Sequence, residues 1–232
     1  MEWARKYVDW ADRMSEWFGW LSQMIVPITI GVGISNVFLR YLGQYSGLKL
    51  TSNVVIELQW YLYTLIFLFS FAYILKNGIN VRVDFWFAEQ PERRKAIIDL
   101  VGHCLALLPF CVLALYVSWN PVLTSWGHDS RAGLFEGWED WQGTRAKVSN
   151  FMETCRASED CNITINSWGK QLPWEMSNDP SGLPRAPIKS MILVGFGTLL
   201  LQAIAETLRL IGFLRGDPAF KREEQEAPIR IE

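Results

Sequence analysis

Histidine is nearly absent: the 232 residues hold two, His103 inside an apolar run and His128 in a polar connection. Haem held between membrane helices by two imidazoles would need a partner for His103 on a second run, and none exists. Cysteine is sparse as well. Of the four, Cys155 and Cys161 bracket "RASED" with no further Cys and no His near them at zinc spacing. There is no phosphate-cradling Walker loop, no GxSxG and no HExxH. No catalytic constellation emerges, so the expectation is a protein that is not an enzyme and carries no cofactor. A basic patch is missing too. With 22 Lys+Arg against 24 Asp+Glu the chain is near neutral, and nucleic acid, which calls for a clustered basic surface, is excluded as a partner. The opening "MEWARKYVDWADRM" lacks a short basic n-region and runs into a stretch of full membrane length, so no cleaved signal peptide is expected.

What the sequence has is apolar length. Half of it is hydrophobic, concentrated in four runs at about 20–42, 54–75, 97–119 and 188–214. Each reaches the ~20 residues that cross a bilayer core at ~1.5 Å rise per residue, and each is apolar all round rather than along one stripe. The predicted fold is an all-α membrane protein with four transmembrane helices, an N-terminal amphipathic interfacial helix and an irregular periplasmic insertion. The organisation follows: a surface helix over 1–19, helices 1–3 over 20–119, a periplasmic cap over 120–187, helix 4 over 188–214 and a tail over 215–232.

Lys and Arg set the orientation. Arg5, Lys6 and Arg13 precede helix 1. Lys76, Arg82, Arg93, Arg94 and Lys95 lie between helices 2 and 3, and Arg209, Arg215, Lys221, Arg222 and Arg230 close the chain. The 1–2 connection has only Arg40 and Lys49, and the 3–4 connection is too long to vote. Both termini and the 2–3 turn are therefore expected in the cytoplasm of a bacterium, with the chain in its inner membrane. In residues 3–19, Trp3, Tyr7, Trp10, Met14, Trp17 and Phe18 share one helical face, opposite Arg5, Lys6, Asp9, Asp12, Arg13 and Glu16. Three tryptophans suit a helix lying flat in the headgroup layer; the other reading is a stripe that docks on protein.

The 3–4 connection is different in composition, with Trp126, Trp138, Trp141, Trp168 and Trp174 among Gly, Ser, Asn and Asp. A loop of this length implies structure of its own, and a short helix is expected near 144–154. On the periplasmic side Cys155 and Cys161 would meet an oxidising compartment and are expected to close a small disulfide loop. Cys104 and Cys111, seven apart in helix 3, read as small packing residues, and Pro109 should kink that helix.

Charges near the membrane fall into two sets. Arg40 and Glu57 stand near the periplasmic ends of helices 1 and 2; Asp99, His103, Glu206 and Arg209 stand near the cytoplasmic ends. Intramembrane charges face protein and pair, or line an ion path. Pairing is the preferred reading, because no polar residue joins the two ends, with Arg40 as the expected partner of Glu57.

"NVFLRYLG" followed by "IELQWYLYTLIFLFSFAYILKNGINVRVD" resembles the first half of the small membrane subunit (DctQ-type) of tripartite ATP-independent periplasmic (TRAP) transporters. That pattern has an Asn-Val-x-x-Arg-Tyr helix end, an acid opening helix 2 and a His-Val-Arg-Val-Asp-like turn, matched here by Asn36, Arg40, Tyr41, Glu57, Arg82 and Asp84. "GLPRAPIKSMILVGFGTLLLQAIAE" resembles the approach to the last helix in one branch of the family. The likeness covers about 20–119 and 182–214. It departs at Asn80, where the family often has His, and over 127–180, which has no counterpart. The resemblance implies a chain that braces a large membrane subunit carrying the substrate and sodium sites, with a periplasmic solute-binding protein delivering a carboxylate solute. It implies structural or inter-subunit roles for Arg40, Glu57, Arg82 and Asp84, and the pairing of intramembrane charges gives the same expectation for Glu206 and Arg209. The alternative is an accessory subunit of a respiratory or photosynthetic membrane complex.

Overall fold

The computed structural model describes residues 2–47, 50–78, 90–126, 175, 177, 183–217 and 220. Arg82, Asp84, Cys155, Cys161 and the expected short helix near 144–154 lie outside the described residues. Within them the chain is helical, with four helices long and apolar enough to cross a membrane: α1 (Glu2–Ser46), α2 (Asn53–Lys76), α3 (Glu92–Ser125) and α4 (Arg185–Leu214).

Local chemistry sets the helix ends. Ser52 caps α2 by accepting a hydrogen bond from the Val54 N–H at 3.2 Å. The stop at "KNGIN" is made by Asn77 as C-cap and by Gly78, whose φ of 63° is the left-handed turn that a β-carbon disfavours. Pro184 and Pro187 sit at the start of α4, where a missing N–H costs nothing. In α3 the irregularity expected from Pro109 is a π-helical turn over His103–Leu107, with the Leu108 N–H bonded to the His103 carbonyl. Pro109 has no N–H for the preceding turn, and the wider ring lies where that regular ladder fails.

The extra residue in that turn corrects the reading of the cysteines. Cys111 is fully buried as expected, but Cys104 is exposed. Seven residues return to one face only in a regular α-helix, and one inserted residue shifts the phase by about 100°.

The helices alternate in direction. Glu16 meets Lys76, Ser22 meets Ser70, and Gly33 faces Gln59, so α1 and α2 are antiparallel. Ser15 meets Gln202 and Asp12 meets Arg209, so α4 also runs against α1. Cys111 packs with Leu199 and Ala203 while Trp126 reaches Ser190, so α3 runs against α4. Both ends of the described chain and the approach to the 2–3 connection therefore lie at one end of the bundle.

Helix α4 is the central element. It touches α1, α2 and α3 and buries a file of small and mid-sized residues, among them Gly195, Thr198, Ala203 and Ala205. Small residues let helix backbones approach closely where lipid supplies no hydrophobic drive between helices. Two clusters follow: Leu75, Cys111, Leu199 and Ala203 at mid-bundle, and Val8, Ala11, Ala205 and Phe220 at the terminal end.

The N-terminal stretch differs from expectation. Residues 2–19 are helical, but they are not a separate surface helix: α1 is continuous over 45 residues, about 68 Å at ~1.5 Å per residue. Its buried face is Val8, Ala11, Ser15, Gly19 and Ser22, and the aromatic stripe with Trp3, Trp10 and Trp17 points outward. Val8, Ala11 and Ser15 dock this stretch along α4, and Gly19 and Ser22 along α2, which holds it in line with the span instead of folding it flat.

Candidate functional site: charged networks at the two ends of the bundle

At the terminal end, Arg209 on α4 spreads its guanidinium between two carboxylates: 2.6 Å to Asp12 on α1 and 2.6 Å to Glu206 one turn away. The Gln202 amide donates to Asp12 at 3.0 Å and to Glu206 at 3.2 Å, and its oxygen accepts from Ser15 at 2.7 Å. Gln202 and Ser15 are both fully buried. A planar guanidinium can fork to two acceptors at once, which an ammonium cannot match in fixed geometry. Around this centre lie Lys76–Glu16 at 2.5 Å, linking α2 to α1, and the more exposed Arg5–Asp217 pair at 2.8 Å. Tyr7 donates to the Leu201 carbonyl at 3.0 Å.

Glu206 and Arg209, for which pairing was expected but no particular partner, pair with each other and are joined by Asp12, Gln202 and Ser15, which sequence reasoning missed. The signal was there: Gln202, Glu206 and Arg209 stand four and three apart, one face of one helix.

At the other end, Glu57 opens α2 and accepts hydrogen bonds from the Ser177 hydroxyl and from the Leu183 N–H. Tyr61, one turn on, donates to the Pro184 carbonyl at 3.2 Å. Next to it, Glu175 accepts from Ser125 Oγ at 2.7 Å and from Lys189 Nζ, tying α3 to α4. The backbone pairs here as well, Ser177 N to Leu183 O at 3.2 Å and Arg185 N to Glu175 O at 2.8 Å. The residues leading into α4 are thus sewn onto the starts of α2 and α4 and the end of α3.

The expected Glu57–Arg40 pair is not formed: Arg40 is exposed and Glu57 is engaged elsewhere. The reason is rotation about the helix axis. Gln59, Ile66, Ser70 and Tyr73 form the side of α2 that meets α1. Glu57, two residues before Gln59, lies about 200° away at ~100° per residue and faces α4. Accordingly Arg40→Gln should leave thermal stability within about 0.5 kcal/mol, whereas Glu57→Gln should cost about 1–3 kcal/mol by setting an amide N–H against a donor. Exchanging the two charges should rescue nothing. Melting curves of the three variants in detergent check this; equal losses from Arg40→Gln and Glu57→Gln would restore the pair.

The Glu175 carboxyl is held below the usual carboxylate range, first by the hydrogen bond from Lys189 and then by that from Ser125. A lowered folded-state value contributes stability above the ordinary carboxylate range, and that contribution disappears as pH falls through the folded value. Hydrogen exchange in the peptide spanning 183–190, corrected for intrinsic rates, should accelerate as pH falls below the ordinary carboxylate range, and Glu175→Gln should weaken that pH dependence. Unchanged protection in wild-type protein over that fall would count against the tether.

Between the two ends, residues 17–39, 58–75, 104–126 and 190–205 contain no Asp, Glu, Lys or Arg. Each stretch is about 24–35 Å long, which brackets the ~30 Å hydrocarbon core. The networks therefore sit at the two faces of a membrane. Hydroxyls in between bond within the bundle: Ser22 across to the Ile66 carbonyl of α2, and Thr29 and Thr198 within their own helices to the carbonyls of Ile25 and Gly195. Among the described residues no group of three or more His, Cys, Asp or Glu could hold a metal ion.

Residues 29–143 match the family model described as tripartite ATP-independent periplasmic transporters, DctQ component. Neither the curated proteins nor the solved structures hold a significant match to the chain. The matched stretch takes in α1 from Thr29 onward, α2 and α3.

Proposed function

Since residues 29–143 belong to the DctQ-component family of tripartite ATP-independent periplasmic transporters, we propose that this chain is the small subunit that braces the large membrane subunit. In this reading the large subunit takes up a carboxylate solute by sodium symport, and a periplasmic binding protein delivers the solute. The single observation that supports bracing over conduction is the distribution of charge. Every charged side chain of the four helices lies at or beyond the two membrane faces, and those inside the bundle are tied to one another, so no file of ionisable groups crosses the core. The accessory-subunit reading draws no support from the family match. The decisive experiment is deletion of this chain in its host. Sodium-dependent uptake of the solute should fall to background and return on re-expression, and uptake that persists without the chain would defeat the proposal.

Both termini are proposed to be cytoplasmic, because the basic residues gather at the end where the described chain begins and ends. In a variant with its native cysteines replaced by serine, Asn80→Cys should resist a membrane-impermeant maleimide applied from outside, and Ser130→Cys should react. Labelling at 80 from outside would invert the topology. Cys155 and Cys161 are proposed to form a disulfide in the periplasmic connection, a loop closure worth about 2 kcal/mol. Alkylation of both thiols in unreduced native protein would refute it.

A further inference from the structure

At the end away from the termini a cleft of about 660 Å³ opens between α2 and α4. Its walls are one face of each helix: Ile56, Trp60 and Thr64 from α2, Ile188 and Ile192 from α4. From Asn53 to Thr64 the cleft follows α2 for about 17 Å. Its floor thus lies in the charge-free zone, while its mouth, at Glu57, Arg185 and Lys189, lies at the charged boundary. This is a slot entered from the headgroup layer and leading into the hydrocarbon.

The charges at the mouth are not equivalent. Glu57 is taken by Ser177 and Leu183, and Lys189 by Glu175. Arg185 reaches the Ser177 hydroxyl at 3.4 Å and has no ion pair with a carboxylate among the described residues. A half-buried guanidinium at the headgroup level, above an apolar slot, is complementary to a phosphate carrying an acyl chain. An apolar helix of a neighbouring protein would leave that guanidinium without an anion, which a phosphate supplies. Water finds few polar partners along such walls.

We propose that the cleft is a phospholipid site, with the phosphate on Arg185 and one acyl chain lying along Trp60, Thr64, Ile188 and Ile192. The lipid fills the gap between two parallel helices at the place where the polar connection into α4 is sewn down.

Native mass spectrometry of the full chain, released from mild detergent after addition of dioleoylphosphatidylethanolamine, tests this. Wild-type protein should keep one phospholipid per chain. Ile192→Trp, which fills the slot, should lose it. Arg185→Gln should weaken retention about tenfold, the worth of one charge-assisted hydrogen bond. Leu113→Trp, on the exposed side of α3, should keep it. If Ile192→Trp fails to fold, Arg185→Gln against Leu113→Trp still decides. The proposal falls if wild-type protein retains no lipid, if Arg185→Gln retains as much as wild type, or if Leu113→Trp loses it too. It also falls if the assembled two-subunit complex carries no lipid at the cleft while the isolated chain does, because the cleft would then belong to the protein partner.

Discussion

Arg209→Gln should lower stability by about 2 kcal/mol. The side chain holds Asp12 on α1 and Glu206 on α4 together, both at 2.6 Å. Without it two carboxylates remain side by side at a membrane face, with Gln202 as their shared donor. Losing one partner of a fully buried pair costs about 3–5 kcal/mol, and the partial exposure of Arg209 reduces that figure by solvent screening. Lysine should recover only part of the loss, since one ammonium cannot fork to both acids in fixed geometry. Adding Asp12→Asn to Arg209→Gln should recover more, because it removes the repulsion that the first change exposes. A double-mutant cycle on thermal denaturation in detergent measures this coupling, with about 1 kcal/mol or more expected. A coupling near zero would mean that α1 is held to α4 by packing alone, and the clamp would lose its role.

The clamp gives physical content to the bracing proposed above. The span of α1 is tied to α2 by Lys76–Glu16 and to α4 by Arg209, and α3 is tied to α4 through Glu175 at the opposite face. A bundle closed at both faces resists splaying. Its outer apolar surface, including Ile28, Ile34 and Phe38 on α1 and Leu105, Leu113 and Tyr116 on α3, stays available to lipid and to the large membrane subunit proposed above.

The four spans were legible because lipid leaves a coarse signature: some twenty apolar residues bounded by glycine or charge. Gly78 ended α2 as its left-handed φ requires, and Pro109 marked the irregular turn of α3. Rotation about the helix axis was not legible. Helix α2 is apolar on every side, so periodicity carries no information about facing, and the partner of Glu57 was assigned from chain proximity to Arg40 instead of from the side of the helix on which it stands. The same blindness hid Gln202, whose neighbours in sequence are all apolar while its neighbours in space are Asp12 and Glu206. In residues 2–19 the aromatic side drew attention, yet the small side, Ala11, Ser15 and Gly19, decides the packing, because between membrane helices close approach counts for more than hydrophobicity.

That last point predicts a steric failure. Gly19→Leu should prevent normal docking of α1 on α2 and sharply reduce the yield of folded protein, and even Gly19→Ala should cost about 1–3 kcal/mol. A β-carbon at residue 19 would lie 2.3 Å from Tyr73 Cδ2 and 2.9 Å from Tyr73 Cβ. A clash with the ring alone could be relieved by rotating the side chain. A clash with Cβ cannot, because that atom moves only with the α2 backbone. Tyr73 sits one turn from Lys76, whose contact with Glu16 lies one turn from Gly19, so parting the helices here also strains that ion pair. Gly31 is the control within the same helix: a β-carbon there meets nothing within 4 Å, and Gly31→Ala should be neutral or stabilising by up to about 1 kcal/mol through helix propensity. Tyr73→Ala should restore only part of what Gly19→Ala loses, since it removes the obstructing ring but keeps the Cβ contact at 2.9 Å. Melting temperatures and monodisperse yields of the four variants in one detergent measure the effect. If Gly19→Ala behaves like Gly31→Ala, α1 and α2 are not in close contact at this level, and the continuous α1 docked on its neighbours is the wrong arrangement.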